Sequence, residues 1–190
     1  VKDVALANAG FEAEDFTGPG VTSNGAGVRV AGTPEGWELA VATNGNLALG
    51  GGGIWDPSTN VMDVAGHDGS QAAYISSNRM LRQNGDGPLA EGNTYALTVT
   101  IGNRAQNNDF DVTVRIVAED GSVLAETHLM DASLDPNVTV VGSGEWATVT
   151  LETLPVNAMY DGMGYRIEIV NATPSGNIAF IDNVSLVKTI

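Results

Sequence analysis

Residues 177–187 read N-I-A-F-I-D-N-V-S-L-V. Period-two alternation makes this a strand and sets Ile178, Phe180, Asp182, Val184 and Leu186 on one side. Four of the five are apolar, so that side is expected to face a core. Asp182 breaks the pattern, because a carboxylate buried in a core strand is costly unless something pairs with it. How this strand sits, and which others share its pattern, decides the fold.

The same alternation recurs along the chain. Residues 94–102 direct Tyr95, Leu97, Val99 and Ile101 to one face, and residues 111–118 do so with Val112, Val114 and Ile116. Residues 146–151 align Ala147, Val149 and Leu151, and residues 165–170 align Tyr165, Ile167 and Ile169. Residues 71–75 form a shorter strand, and 77–83 reads either as a strand or as one or two helical turns. Glu119-Asp120-Gly121-Ser122 is a hairpin signal. Residues 89–93 and 173–176 are further turns, and no long window carries a helical period. Short strands between Gly, Asn and Asp turns predict an all-β fold, a β-sandwich jelly roll, over an α/β sheet. At 190 residues the chain is long enough for one sizeable core, so a single domain over 1–190 is expected.

The charge is lopsided: 23 Asp and Glu against 8 Lys and Arg, net −15. Binding to nucleic acid or to an anionic membrane needs clustered cations, so both are excluded as expected partners. No apolar run reaches the roughly 18 residues of a membrane span. The absence of Cys removes disulfides and thiolate chemistry. A chain opening at Val1 reads as a monomeric module cut from a larger secreted protein, acting extracellularly at a cell surface.

His67 and His128 lack zinc-site spacing. No serine-nucleophile elbow is present, and Gly50 to Gly53 is not followed by the Lys of a phosphate loop. No catalytic residue is singled out, and a non-enzyme is expected. The acids fit a different role. Calcium takes about six to eight oxygen ligands from carboxylates, amides and carbonyls, and residues 56–63, 67–71, 107–111 and 131–137 are dense in them. Long calcium-pinned loops are therefore expected, with Asp56, Asp63 and Asp109 as ligands beside a binding site. Trp37 and Trp55, each preceded by glycine-containing segments, are candidate sugar-stacking platforms, with Asn103, Asn107 and Tyr160 as further ligand-binding candidates.

An ordered set of segments spans nearly the whole chain: L-A-N-A-G-F-E (6–12), Gly36-Trp37, D-G-S-Q-A-A-Y-I (68–75), L-A-E-G-N-T-Y-A-L-T-V (89–99), G-E-W-A-T-V-T-L (144–151) and F-I-D-N-V-S-L (180–186). The set resembles the galactose-binding-like jelly rolls, which include carbohydrate-binding modules of families 4, 9 and 22. The resemblance implies a structural calcium where the first and last strands meet, held by Glu12 and Asp182 with Asp68 or Ser70 nearby. Such an ion would answer the question Asp182 raises. The middle of the chain, from Gly53 to Pro57 through 68–74 to Ile101–Arg104, is similar to two narrower groups. One is the calcium-dependent terpenoid-indole cyclases of cyanobacteria; the other is the ligand-binding modules of giant calcium-dependent (RTX) bacterial adhesins. A cyclase uses a protonated or hydrogen-bonding carboxyl in an aromatic-lined pocket. Here Asn183 stands where a second acid would be sought, and the chain has only three Trp, four Tyr and four Phe. The leading expectation is therefore a calcium-dependent, non-catalytic recognition module of adhesin type that binds a cell-surface glycan or short peptide. The alternatives are a carbohydrate-binding module of a secreted hydrolase and a calcium-dependent cyclase.

Overall fold

The computed structural model describes residues 1–13, 21–24, 27–42, 51–57, 69–105, 109–173 and 177–190. Its strands are β1 (Lys2–Val4), β2 (Val21–Asn24), β3 (Gly27–Ala31), β4 (Glu38–Val41), β5 (Gly52–Pro57), β6 (Ala72–Ser76), β7 (Arg79–Asn84), β8 (Thr94–Asn103), β9 (Asp111–Ala118), β10 (Val123–Met130), β11 (Val138–Val140), β12 (Trp146–Glu152), β13 (Tyr165–Asn171) and β14 (Ile178–Thr189). One 3₁₀ turn, Ala158–Tyr160, is capped by the Asn157 side chain, which accepts from the Met159 amide. Of the ambiguous segment 77–83, residues 79–83 belong to strand β7.

Two sheets form the sandwich. The larger runs β12-β8-β14-β6-β5-β3-β2, with β1 also on β14; the smaller runs β11-β10-β9-β13-β7-β4. The four alternating segments direct the predicted residues inward: Tyr95, Leu97, Val99, Ile101, Val112, Val114, Ile116, Val149, Leu151, Tyr165, Ile167 and Ile169 all belong to the inter-sheet core. Removing such side chains from water, at about 1.5–3 kcal/mol each, is the main force holding the sheets together.

The smaller sheet's outer face carries a transverse row of alternating charge. Glu38 on β4 stands opposite Arg82 on β7, Arg82 opposite Glu168 on β13, Glu168 opposite Arg115 on β9, and Arg115 opposite Glu126 on β10. Glu168 is the buried centre, 1% exposed, and receives Arg115 Nε at 2.6 Å and Arg166 Nε at 2.5 Å. Opposite charges directly across a ladder attract, so the row ties five strands together.

β14 departs from the sequence reading. Ile181 and Ala179 join the inter-sheet core, as do Val184 and Leu186. Ile178 and Phe180 lie on the other face, in a separate cluster. The inversion occurs at a β-bulge: Asp182 pairs with Thr100, but the next pair is Ser185 with Thr98, so β14 carries one extra residue. Asn183 takes up the irregularity at φ 49°, a left-handed conformation that Asn tolerates better than most residues. The Asp182 carboxylate Oδ1 accepts the Asn183 amide at 2.7 Å. The bulge also sits where β14 changes neighbours on one edge. β6 pairs along Ile178 to Ile181 and β1 along Leu186 to Lys188. Between them the Val184 amide donates to the Ala9 carbonyl at 3.0 Å. Asp182 therefore shares a side with Phe180 and not with Val184 or Leu186. The expectation that all five alternate residues face one core fails because one inserted residue reverses every later side chain.

Candidate active site

The outer face of the larger sheet is built by register. Trp55 on β5 stands between Arg29 on β3 and Ala72 on β6. One step along, Gly53 stands beside Tyr74, Tyr74 beside Phe180, Phe180 beside Gly102, and Gly102 beside Trp146 on β12. Asp182, Thr100 and Thr148 continue the Trp55 side of this array. Small residues alternate with large ones, and the Tyr74 ring lies against Gly53. A Cβ on Gly53 would come within 2.9 Å of the Tyr74 ring and 2.0 Å of the Val30 carbonyl, so glycine is required there.

The aromatic contacts form a continuous cluster. Trp55 meets Tyr74 edge-on at 5.5 Å and 78°, and meets Phe180 at 5.3 Å; Phe180 in turn meets Trp146 at 5.9 Å. These are favoured ring geometries. Trp55, Tyr74 and Phe180 are buried, and Asp182 is completely so. The Thr100 and Thr148 hydroxyls hydrogen-bond at 2.8 Å beside Asp182's strand position. Arg29 and Arg104 each place a guanidinium over the Trp55 ring, at 5.2 and 5.4 Å. Burial pushes the Tyr74 phenol above its usual range, with the positive charge of Arg29 opposing. The result is a buried carboxyl group on a face of electron-rich rings.

A second locus lies beside it. The Glu12 carboxylate Oε1 accepts the Ser70 amide at 3.0 Å and the Gln71 amide at 2.7 Å. Gly69 forms its cradle at φ 59°, where a Cβ would stand 2.3 Å from Glu12 Oε1. Gln71 leads into β6 next to the Asp182 bulge, and the Ala9 carbonyl reaches Val184. The segments carrying Glu12, Ser70 and Asp182 thus meet at one end of the sheet. Among the described residues no three His, Asp or Glu side chains stand together. Carbonyl and amide oxygens also ligate calcium, so the Glu12 carboxylate and this turn offer oxygens of the type such an ion takes.

The other sequence candidates scatter. Trp37 packs in the inter-sheet core against Phe11 at 5.3 Å and donates Nε1 to the Ala7 carbonyl at 3.0 Å. Asn103 is fully buried, with Nδ2 donating to the Val141 carbonyl at 2.9 Å. Tyr160 follows β12 at the end away from Trp146 and lines a shallow groove with Leu124, Leu154 and Pro155. Asp56 points to the opposite side of β5 from Trp55 and is half-buried. Asp109 is exposed, its amide donating to the Asp131 carboxylate at 3.0 Å. Asp63, Asp68 and Asn107 lie outside the described residues. The structure gathers Trp55 with Asp182, and adds Arg29, Tyr74, Arg104, Trp146 and Phe180, none of which the sequence reading selected. One signal for them exists: β6 and the start of β14 are apolar on both faces, which in an antiparallel sandwich marks a strand whose outer face is also covered.

A family model described as HpiC1-like, HpiC1 cyclase, matches residues 2–187. The chain is similar in structure to a Stig cyclase, Fisc, from Fischerella sp. TAU in complex with (3Z)-3-(1-methyl-2-pyrrolidinylidene)-3H-indole. That match has 22% identity and TM-score 0.73 over 98% of this chain and 97% of that one. It is also similar to a cyclase from the same source in complex with 4-(1H-indol-3-yl)butan-2-one, at 20% identity and TM-score 0.75 over 100% and 98%. The carbohydrate-binding module TmCBM61, bound to beta-1,4-galactotriose, matches at 15% identity and TM-score 0.56 over 97% of each chain. At these identities the three structures show the shared jelly-roll fold. No curated protein sequence matches.

Proposed function

The chain belongs to the HpiC1-like cyclase family, and from that membership we propose that it is an enzyme that cyclises a small aromatic, indole-type molecule on the outer face of its larger sheet. The expectation of a non-catalytic adhesin-type module is overturned by the family match, and with it the cell-surface glycan or peptide partner. The solved relatives hold small indole compounds. The scarcity of aromatics misled the sequence reading, because composition does not report local density. Trp55, Tyr74, Phe180 and Trp146 gather on one face.

The observation that carries the proposal is the bulge that turns fully buried Asp182 toward this face. Ring faces bind an indole by stacking and stabilise positive charge that develops as its bonds rearrange. Asp182 is assigned the role of general acid, giving a proton to the reacting group or holding it by hydrogen bond. Titration calorimetry with 4-(1H-indol-3-yl)butan-2-one is expected to show saturable binding, and Phe180→Ala to weaken it at least about tenfold, the scale of one lost aromatic contact. A folded wild-type protein that binds no indole compound defeats the reading.

Calcium is proposed at the second locus, with Glu12 as a ligand and oxygens of the adjoining turn. The ion would tie the Glu12 segment to the 69–71 turn. Saturation at about 100 times Kd adds roughly 2.7 kcal/mol of stability. EDTA is accordingly expected to lower the melting temperature by several degrees, and Glu12→Gln to abolish that response; a melting curve indifferent to EDTA rejects the ion. A second reading makes Asp182 a calcium ligand as well. The convergence of the Glu12, 69–71 and 182–184 segments favours it. The two readings part on one variant, Asp182→Asn.

A further inference from the structure

Two guanidinium groups converge on one indole ring. Arg29 stands directly across the ladder from Trp55, and Arg104 reaches the same ring from just beyond β8, at 5.2 and 5.4 Å. Cations are scarce in this chain, 8 Lys and Arg at net −15. On the other sheet Arg82, Arg115 and Arg166 are each paired with a carboxylate. Among the described residues, by contrast, neither Arg29 nor Arg104 has a carboxylate partner. Two like charges drawn to one largely desolvated ring repel each other. Arg104 feels this directly: burial first, and then the charge of Arg29, lower its affinity for its proton. Stacking on Trp55 accounts for one cation; it does not account for bringing a second against the first. A neutral substrate gains nothing from the pair, and positive charge developing on the substrate is opposed by it. An anionic group on the substrate removes both objections, and the planar guanidinium fork matches a carboxylate.

We propose that Arg29 and Arg104 form an anion subsite beside Trp55, and that the substrate of this protein is an aromatic molecule carrying a carboxylate. The inference rests on the reading of the aromatic face as the substrate site. The layout gives the two ends of such a molecule different work. Arg29, Trp55 and Ala72 lie on successive strands, with Asp182 on the next, so the anion is held on the Trp55 side. The strand position of Asp182 is two strand spacings, about 10 Å, from that of Trp55.

The test compares two near-isosteric probes, 3-(1H-indol-3-yl)propanoate and 4-(1H-indol-3-yl)butan-2-one, by titration calorimetry at neutral pH and low salt. The carboxylate is expected to bind at least about tenfold tighter, the range of a charge-assisted hydrogen bond converted to affinity, and the gap to shrink with added salt. The double variant Arg29→Met/Arg104→Met is expected to erase the gap while still binding the ketone, with Arg104→Lys retaining part of it. Equal affinities in the wild type, or a gap that survives in the double variant, overturn the subsite while the cyclase reading stands on the ketone's binding. Failure of folded wild-type protein to bind either probe overturns both. The wild-type comparison decides the matter even if the double variant does not fold.

Discussion

Asp182→Asn is expected to lower the turnover of cyclisation by about 10²- to 10⁴-fold, the usual weight of a positioned general acid, with little loss of stability. The asymmetry follows from the bulge. The Asp182 Oδ1 accepts the Asn183 amide, and an Asn side chain keeps an oxygen in that place, so the extra residue of β14 remains satisfied. What the substitution removes is the acidic proton. Binding of 4-(1H-indol-3-yl)butan-2-one should survive, because the rings of Trp55, Tyr74 and Phe180 are untouched. The KM-against-kcat split therefore separates an acid from a packing residue. Asp182→Ala is a different experiment. It strands a buried amide and is expected to cost about 1–3 kcal/mol as well as turnover. Full activity in Asp182→Asn sinks the acid assignment. Loss of the EDTA-sensitive melting shift, with turnover restored by excess calcium, moves Asp182 to the metal.

Glu168→Ala is expected to cost about 3 kcal/mol of stability, or roughly 6–12 °C in melting temperature, a large loss for a polar residue outside the site. The carboxylate is buried between Arg115 and Arg166, so its removal leaves two guanidiniums facing each other. Both are about a third exposed, at 31% and 27%, so water relieves part of the cost, and the lower end of the range for a broken buried pair applies. The pH dependence has a definite sign. Burial works to raise the Glu168 carboxyl, but hydrogen bonds from Arg166 and Arg115 and their charges hold it below its ordinary value of 4.5. A depressed folded value means the contribution is fully present above about pH 4.5 and is lost as the pH falls through the lowered value. The stability gap between wild type and Glu168→Gln should hence be widest near neutrality and close on acidification. A gap independent of pH between 3 and 6 contradicts the charge row as its source.

The strands of the core were legible because each depends on local alternation and each belongs to a half-buried sheet. Tyr95 to Ile101, Val112 to Ile116 and Tyr165 to Ile169 needed no knowledge of partners. The weakly patterned strands β2, β3 and β11 were not legible, since their places come from pairing rather than from apolar periodicity. The candidate site was legible only in part. Trp55 and Asp182 were both selected, but as parts of different sites, one for sugars and one for a metal. Phe180 read as an ordinary core residue, and Tyr74 as part of a short strand with no role of its own. Arg29 and Arg104, 75 positions apart in number, offered no pattern at all.

By itself the sequence determined an all-β sandwich, the inward residues of its regular strands, an acidic surface and a chemistry without thiols, because these follow from composition and period. Only the tertiary structure decided which way Asp182 points. Side-chain direction along a strand is a parity, and a single extra residue inverts it. Whether that residue is accommodated at Asn183 depends on partners far away in the chain: β8 along the whole strand, β6 before the bulge, β1 after it, and the Ala9 carbonyl between. The same non-local pairing sets Arg29, Trp55, Tyr74 and Phe180 on one face, and the function proposed for this protein rests on that face.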